Sequence, residues 1–495
     1  MATGLNGLIL FEDEHLLVIN KPSGINTHRP DVHAPDGIHE WLNRRYGGEL
    51  AILHRLDKDT SGVIVFGKTR AANQSLAKQF ERHTLRKEYL LLSALKPKRT
   101  KCHARSPNTE TEFEYLEPHA GAFLVAARPV TGKTHQIRLH AQECGFPILG
   151  DTEYGGDPAP RLMLHAHRLT IAHPVSGDWM TFTAPVPAGF DEMNALTAAR
   201  EYRELLFGGT DTDCYRLVSA GGDGLPELIV DWFAGQALVQ WQSGAEIAGV
   251  YERLGADVVY AQTVLKGKRT EARLVRGEAG ECVAREHGLR YRIRFDEGLS
   301  AGLFLDQREN RWRLLRMPLA GKSMLNCFAY TCAFSVAAAQ AGARTTSVDL
   351  SRNYLEWGKE NFALNSLPVE GHDFVAGDVF EWLKRFAKRA QRWDVVLLDP
   401  PTFSTTKKGR AFQAERDYGE LVQLAAPLVA PGGWLFCSTN QRTFKAEEFE
   451  RVVRGSVAAV GRQISDREFV TQPFDFRFAK GDQAYLKTLW ARLAE

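Results

Sequence analysis

The chain lacks any run of about 18 consecutive apolar residues, the length that a membrane-spanning helix needs. Its first residues, Met1 to Asn6, carry neither a basic segment nor an apolar core, so we expect no secretory signal there. Paired cysteines are missing too, because the seven cysteines are scattered and form no CxxC pair and no cluster with histidine. We therefore expect a reducing, cytoplasmic setting, no membrane association and no structural zinc.

An excess of charge of one sign is also missing. The chain has 62 lysines and arginines and 60 acidic residues, which leaves a net charge of +2 at pH 7. A nucleic-acid partner would therefore need local basic surfaces, because the total charge does not indicate one. At 495 residues the chain is too long for one hydrophobic core, and its length suggests about three domains.

Two residue types are distributed unevenly along the chain. Thirteen of the fifteen histidines lie at or before His173, whereas eight of the ten tryptophans lie after residue 200. This shift in composition suggests that two parts of different origin are joined in one chain.

The polar stretch from His54 to Gly62 reads HRLDKDTSG and runs directly into Val63-Ile64-Val65-Phe66, which is typical of a strand. A lone aspartate in such a turn is usually a solvated surface acid, but this run is long and specific. It resembles the catalytic loop of the RluA-type pseudouridine synthases. The resemblance implies that Asp57 is the catalytic nucleophile and that His54 and Arg55 bind the substrate.

Further blocks of the same family follow in the family's order and cover nearly all of residues 9–187. They are Lys21-Pro22-Ser23-Gly24, Arg86-Lys87-Glu88-Tyr89, Thr131–His140 with Gly150-Asp151, and Leu164–Leu169 with Ala184–Pro187. The resemblance implies that Tyr89 stands against the target base and that Arg138 pairs with Asp57, which would keep the carboxylate ionised. Pseudouridine formation breaks a glycosidic bond and rejoins the uracil through carbon 5. A carboxylate nucleophile suits this reaction, for which we expect no metal or cofactor.

Residues 190 to 300 hold no catalytic constellation. Glu192 to Phe207 has helical spacing and ends at Gly208-Gly209, and short strands follow at 215–218, 228–231 and 237–241. This part resembles the small β-rich domain that precedes the catalytic domain of RlmI- and RlmK-type 23S rRNA methyltransferases. A role in holding RNA and a purely structural role are equally open.

The C-terminal part carries the pattern of a nucleotide-like cofactor site. The strand at 321–328 enters a loop before an apolar helix, and the next strand ends in Asp349 about 20 residues later. No GxGxxG is present, which disfavours a dinucleotide. Asp378 follows a third strand, and the buried strand at 393–398 ends in Asp399-Pro400-Pro401. Over about residues 200–490 the chain resembles the class I S-adenosylmethionine (SAM) methyltransferases of the RlmI/RlmK type.

The resemblance implies SAM as the cofactor and assigns roles to individual residues. The residues implied in cofactor binding are Asp306, Gln307, Arg308, Asn326, Phe328, Thr331, Asp349 and Asp378. Asp399 would be catalytic, and the residues implied in substrate binding are Pro400, Phe403, Asn440 and Arg442.

The methyl acceptor is decided by one position. Formation of 5-methylcytidine needs a cysteine thiolate that adds to carbon 6 of the base. When Ser438 is aligned with the family serine, Thr439 stands where that cysteine belongs, and Cys437, one residue from Ser438 on an alternating strand, is expected to point to the face opposite Ser438. The Ser-x-Asn-x-Arg-x-Phe pattern is similar to that of the RlmK type, which makes 7-methylguanosine and needs no covalent catalysis.

The expected fold is therefore multidomain, α+β and α/β. It comprises a mixed-sheet pseudouridine synthase domain (1–190), a linker helix (191–210), a small β-rich domain (211–295) and a Rossmann-like methyltransferase domain (296–495). The expected function is isomerisation of uridine and methylation of guanine N7, with 23S rRNA as the partner. Three alternatives stay open: 5-methylcytidine as the product, transfer to an exocyclic or side-chain amine, and an RNA-binding ribosome-assembly factor with inactive sites.

Overall fold

A computed structural model describes residues 7–48, 50–243, 246–265, 268–297, 300–405, 411–479 and 481–495, with the backbone alone described at 268, 403–405, 411 and 412. Its contacts divide the chain into two compact units. The first comprises Met1–Pro30, Asp36–Thr210 and Leu217–Pro226, and the second comprises Asp31–Pro35, Asp211–Arg216 and Glu227–Glu495. The division into four parts that the sequence suggested stays a prediction.

The first unit is built on a ten-stranded sheet with the order β1-β2-β4-β9-β5-β8-β7-β6, in which β10 pairs with β9 and β3 with β4. The strands are β1 (Ile9–Glu12), β2 (Leu16–Lys21), β3 (Ala51–Ile52), β4 (Ser61–Gly67), β5 (Arg86–Ser93), β6 (Lys101–Ser106), β7 (Thr109–His119), β8 (Ala122–Pro129), β9 (Leu164–Ala172) and β10 (Trp179–Thr183). The helices are α1 (Ile38–Tyr46), α2 (Arg70–Glu81), α3 (Gln136–Glu143), α4 (Ala188–Asp191) and α5 (Ala195–Phe207). β4 and β9 pair in parallel at the centre, whereas their other partners are antiparallel, so the predicted mixed sheet is confirmed.

Local sequence explains why these elements form where they do. Every residue of β4 is buried, because this central strand is covered on both faces. Helix α2 begins after Thr69, whose side chain accepts a hydrogen bond from the Ala72 amide, and it buries Ala72 and Leu76. Helix α5 is fastened within the first unit by a buried ion pair, since Arg203 donates to both oxygens of Asp223 at 2.7 Å.

The second unit contains a seven-stranded sheet with the order β21-β20-β19-β22-β25-β27-β26, and β23 and β24 form a separate pair. The strands are β19 (Ser323–Cys327), β20 (Arg344–Asp349), β21 (Asp373–Ala376), β22 (Trp393–Leu398), β23 (Phe403–Thr405), β24 (Ala411–Gln413), β25 (Val429–Thr439), β26 (Ile464–Val470) and β27 (Lys487–Leu493). The helices are α7 (Arg308–Arg316), α8 (Ala333–Gln340), α9 (Arg352–Leu364), α10 (Val379–Lys388), α11 (Ala414–Ala425) and α12 (Ala446–Ala459).

A smaller sheet precedes it, with the order β11-β12-β13-β14-β15 and β16 beside β14, and β17 and β18 form a further pair. These elements are β11 (Cys214–Ser219), β12 (Leu228–Phe233), β13 (Gln236–Trp241), α6 (Val250–Arg253), β14 (Val258–Leu265), β15 (Lys268–Arg269), β16 (Arg273–Arg276), β17 (Cys282–Glu286) and β18 (Leu289–Ile293). The three strands predicted between 215 and 241 are confirmed.

The central strands of the large sheet in the second unit pair in parallel. Parallel sheets have both faces covered, because the helices that connect their strands pack on them. Alternate residues of β22 enter different cores: Val395 and Leu397 join one cluster, and Val396 and Leu398 join the other. The predicted α/β class of this part is confirmed. Among the described residues, no helix is long and apolar enough to cross a membrane.

Candidate active sites

Asp57 lies in the loop between β3 and β4, and the backbone before it is held by Thr27. The Thr27 hydroxyl donates to the carbonyl oxygen of Leu56 at 2.9 Å and accepts from the Leu56 amide at 3.2 Å. Thr27 and Leu56 are both buried, so water does not compete for these hydrogen bonds. The residue directly before Asp57 is therefore fixed on both of its peptide groups.

The backbone after Asp57 is held by the Lys21-Pro22-Ser23-Gly24 block. The ammonium of Lys21 donates to the carbonyl oxygen of Lys58 at 3.1 Å, the Gly24 amide donates to the same oxygen at 2.7 Å, and Ser23 donates to Asp59 at 2.7 Å. Lys21 is fully buried, and burial lowers its pKa to about 7 although the nearby carboxylates oppose this. The family resemblance covers this block but assigned no role to it. Its hydrogen bonds join residues more than 30 positions apart, so the sequence alone does not reveal them.

Gly62 ends the loop at a position that only glycine can fill. Its φ is +114°, and a Cβ there would stand 2.2 Å from the carbonyl oxygen of Ala166 on β9. This close approach brings β4 against β9, and it places the Asp57 loop at the mouth of the central strands.

A cavity of about 780 Å³ opens in front of Asp57. Asp57, Tyr89, Arg138, His54 and Arg55 all line it, so the structure brings the predicted site residues of the first unit together. Burial and the charge of Asp57 both raise the pKa of the Tyr89 hydroxyl, which therefore stays protonated at neutral pH. Asp57 is the one carboxylate among the described residues that line the cavity.

The predicted pairing of Arg138 with Asp57 is not what the structure contains. The guanidinium of Arg138 donates to the two oxygens of Asp151 at 2.6 and 2.7 Å and to Glu153 at 3.0 Å. Its Cζ also lies 4.7 Å from the centre of the Tyr154 ring. A buried two-bond contact of this kind is strong, and Asp151 is placed for it by the turn at Gly150, whose φ is +81°. Arg138 thus reaches the cavity already bound to Asp151.

His54 supports the loop from the wall of the cavity. Its Nε2 accepts a hydrogen bond from the Val65 amide at 3.1 Å, and its ring stacks on Phe80 with the centroids 4.6 Å apart. Burial lowers its pKa to about 3, so the ring is neutral and fixed. Arg55, in contrast, is exposed at the cavity mouth, where its guanidinium can meet an anionic ligand.

The second unit has a cavity of about 250 Å³ at the carboxyl ends of its parallel strands. Eight of the predicted residues line it, namely Asp306, Gln307, Phe328, Asp349, Asp378, Asp399, Pro400 and Asn440. Aromatic residues that the sequence did not single out complete the wall, namely Phe304, Tyr330, Tyr354 and Phe380.

The loop after β19 is tightly wound without glycine. Phe328, Tyr330 and Cys332 have φ of 62°, 49° and 60°, a left-handed conformation that is rare for such side chains and concentrates at functional sites. The Asp349 carboxylate holds this loop, because one oxygen accepts from the Tyr330 amide at 2.8 Å and the other accepts from the Ser351 amide at 2.8 Å. Each oxygen keeps capacity for a ribose hydroxyl, so the residues present fit a nucleoside-containing cofactor such as SAM.

Asp399 lies at the end of a chain of buried hydrogen bonds. Gln307 donates from its Nε2 to both oxygens of Asp399 at 3.2 Å and to Ser438 at 2.8 Å. Asn310 donates to the Gln307 oxygen at 2.7 Å, and Trp490 in turn donates to Asn310 at 2.9 Å. Burial raises the pKa of Asp399 to about 7, and the neighbouring Asp306 adds to this effect.

Three residues predicted to bind the cofactor are used inside the fold and are not among the described residues that line this cavity. Arg308 forms a buried ion pair with Asp475. Asn326 donates to Ser335 at 2.9 Å, and Thr331 donates to the carbonyl oxygen of Gly302 at 2.6 Å. These positions match family motifs, but motif matching cannot tell a residue that shapes the site from one that lines it.

The two remaining predicted substrate contacts are Phe403 and Arg442. The side chain of Phe403 lies outside the described residues. Arg442 is exposed, with its Cζ 6.0 Å from the centre of the Tyr485 ring. Their predicted roles stay predictions.

Cys437 faces away from the cavity. Its side chain is fully buried in the core that contains Val396 and Leu398, and burial raises the pKa of its thiol. The next residue, Ser438, contacts Gln307 on the cavity side. The alternation predicted from the strand is therefore confirmed, and Cys437 has the environment of an inert core thiol.

Comparisons with known proteins agree with this division. Residues 15–143 match the model of the RNA pseudouridylate synthases, and residues 268–469 match the model of the S-adenosylmethionine-dependent methyltransferases. YwbD of Bacillus subtilis, described as a candidate ribosomal RNA large subunit methyltransferase, is 34% identical over 319 residues, which are 60% of this chain and 79% of that protein. A ribosomal RNA large subunit methyltransferase of Deinococcus radiodurans is 33% identical, with 60% and 78% covered. The ribosomal RNA large subunit methyltransferase K/L of Psychrobacter arcticus is 41% identical over 203 residues, 39% of this chain, but the match spans only 26% of that protein's length.

Two solved structures share the fold of the second part of the chain. A candidate methyltransferase in complex with SAH has a TM-score of 0.54 at 27% identity, with 60% of this chain and 80% of that chain covered. A candidate SAM-dependent methyltransferase from Streptococcus mutans has a TM-score of 0.52 at 25% identity, with 63% and 84% covered. Among the described residues, no group of histidine, cysteine and acidic side chains could hold a metal ion.

Proposed function

Because the chain belongs to the S-adenosylmethionine-dependent methyltransferase family and carries an RNA pseudouridylate synthase domain ahead of that part, we propose that it modifies ribosomal RNA of the large subunit at two kinds of nucleotide. The first unit isomerises a uridine to pseudouridine. The second unit transfers a methyl group from SAM to a base of 23S rRNA, and that base is guanine, methylated at N7. The site of action is the cytoplasm, where this RNA is assembled into ribosomes.

The geometry around Asp57 supports the isomerase activity. A carboxylate nucleophile must be ionised, accessible and fixed, and Asp57 lies at an open cavity while the backbone on either side of it is held by Thr27, Lys21 and Ser23. Tyr89, protonated and close to Asp57, offers a ring against which a flipped uracil can lie. The uridine must leave its stack to reach this point, and the cavity is large enough to take a whole nucleotide.

The observation that carries the choice of guanine N7 is the position of Cys437. Methylation at carbon 5 of cytosine requires a thiolate at the base, whereas guanine N7 attacks the methyl group with its own lone pair. Cys437 is fully buried and lies outside the described residues that line the cavity, and burial disfavours its thiolate. Asp399 and Asn440 remain as the polar groups beside Pro400 that can orient a base.

Mapping of modified nucleotides in a deletion strain tests both activities. We expect one or more pseudouridines and one 7-methylguanosine of 23S rRNA to disappear and to return with the wild-type gene. Complementation with Asp57→Asn should restore the methyl group alone, and complementation with Asp399→Asn should restore pseudouridine alone. Asp59→Asn, which removes a neighbouring exposed carboxylate, is the matched control and should restore both. Loss of 5-methylcytidine instead would refute the guanine assignment.

A further inference from the structure

The cavity of the first unit is strongly unbalanced in charge. The described residues that line it include five cationic ones, namely Arg55, Lys58, Lys87, Lys133 and Arg138, and one carboxylate, that of Asp57. Arg138 is neutralised by Asp151 and Glu153. Arg55, Lys58 and Lys133 are exposed, so water solvates their charge. Lys87 differs from all of them.

Lys87 is half-buried and has no carboxylate partner among the described residues. Its ammonium donates to the carbonyl oxygen of Thr131 at 3.2 Å, which occupies one of three donors. Burial lowers its pKa, and no acidic group offsets that effect. Its charge is felt at His54, whose pKa it helps to lower. An ammonium held in this way favours an anion that arrives with the ligand.

The position of Lys87 matches one part of a bound nucleotide. Lys87 and Tyr89 are two residues apart on β5, and both line the cavity, so their side chains emerge about 7 Å apart along the strand. A uracil against Tyr89 and Asp57 is separated from its own phosphate by the length of one ribose. The separation of Lys87 from Tyr89 therefore matches the distance from a flipped uracil to its own phosphate.

We propose that Lys87 is a phosphate-binding residue that holds the backbone of the RNA next to the uridine to be isomerised. The inference rests on the proposed function of the first unit. It assigns a phosphate of the RNA as the ligand of Lys87, to which that function gave no role. The ammonium contributes a charge-assisted hydrogen bond to a phosphodiester oxygen. The exposed cations Arg55, Lys58 and Lys133 contact the RNA from solvent, whereas Lys87 acts at the depth of the base.

The test is the salt dependence of RNA binding. The full chain carrying Asp57→Asn, which prevents turnover, is titrated with a short fluorescent single-stranded RNA that contains uridine, at several salt concentrations. We expect Lys87→Gln to weaken binding about tenfold at low salt. It should also reduce the slope of log affinity against log salt by about 0.7, the value for one phosphate contact on a single strand. Lys87→Arg, which keeps the charge, should retain the slope.

Lys101→Gln is the matched control, because Lys101 lies on β6 of the same sheet, is 80% exposed in its side chain and does not line the cavity. It should leave the slope unchanged. If Lys87→Gln weakens binding without changing the slope, Lys87 contacts a carbonyl of the base and the phosphate assignment is overturned. If affinity and slope both stay unchanged, Lys87 has no role in RNA binding. The proposed function fails separately, when the wild-type enzyme forms no pseudouridine.

Discussion

Replacement of Asp399 by asparagine should stabilise the second unit in a pH-dependent manner. Asp399 lines the cavity at the end of β22, with Gln307 and Ser438 as its hydrogen-bonding neighbours. Asparagine keeps the shape of the side chain and removes the charge. Because burial disfavours that charge, the substitution relieves a cost that the wild-type protein carries at neutral pH.

The sign and the size of this effect follow from the pKa of Asp399, which is raised from 3.8 to about 7. The folded protein holds the proton while the unfolded chain has already released it, so the free energy of unfolding falls as pH rises through this interval. Between pH 5 and pH 7 the interval spans two units, which correspond to about 2.7 kcal/mol. This value is an upper bound, because Asp399 lines an open cavity. The free energy of unfolding of the Asp399→Asn variant, relative to that of the wild type, should therefore increase from pH 5 to pH 8 by up to this amount.

Thermal unfolding of the wild type and of Asp399→Asn, measured at pH 5 and at pH 8, checks this expectation. The gain in Tm should be larger at pH 8, by up to about 5–10 °C. Asp394→Asn is the matched control on the same strand, because its carboxylate accepts two hydrogen bonds from Ser323 at 2.9 Å and lies 3.1 Å from Lys322. Although burial opposes them, these contacts lower the pKa of Asp394, so its removal should destabilise at both pH values.

Two outcomes would refute the reasoning about Asp399. A loss of Tm at pH 8 would mean that the ionised carboxylate is stabilised by its hydrogen bonds more than it is penalised by burial. An equal gain at pH 5 and pH 8 would mean that the carboxyl does not titrate between these values. Methyl transfer should fall in the Asp399→Asn variant in either case, because stability and activity make opposite demands on this residue.

Three further predictions concern the two active sites. Asp57→Asn should abolish pseudouridine formation and leave methyl transfer intact; isomerisation within tenfold of the wild-type rate would contradict the assignment. Asp349→Ala should weaken SAM binding in calorimetry by about tenfold or more, since a hydrogen bond to a charged group contributes about 1.5–3 kcal/mol, whereas Asp373→Ala, an exposed acid on β21, should not. Cys437→Ser should leave methyl transfer largely intact, and RNA with 5-fluorocytidine should form no covalent adduct; an adduct that disappears in Cys437→Ser would reverse the choice of guanine.

Much of the fold could be predicted because its signals are local. The helical spacing expected up to Phe207 is observed as α5 (Ala195–Phe207), and the apolar helix expected after the strand at 321–328 is observed as α8 (Ala333–Gln340). Runs such as Trp393–Leu398 are apolar on both faces, which indicated a parallel sheet before any pairing was known. The alternation that turns Cys437 away from Ser438 is likewise a property of any strand. Strands β6 and β7 were not predicted, although in β7 the buried Thr111 and Phe113 alternate with the exposed Glu112.

Only the tertiary structure decided which partner each charged group has. The order of motifs placed Arg138 and Asp57 in one site, but the backbone turn at Gly150 brings Asp151 to Arg138 first. Likewise, Arg308 pairs with Asp475, which is more than 160 residues away, and Lys21 holds the loop beyond Asp57. A sequence specifies residue types and local periodicity, whereas the energy of an ion pair depends on distance and burial. Those two quantities exist only once remote segments of the chain have packed together.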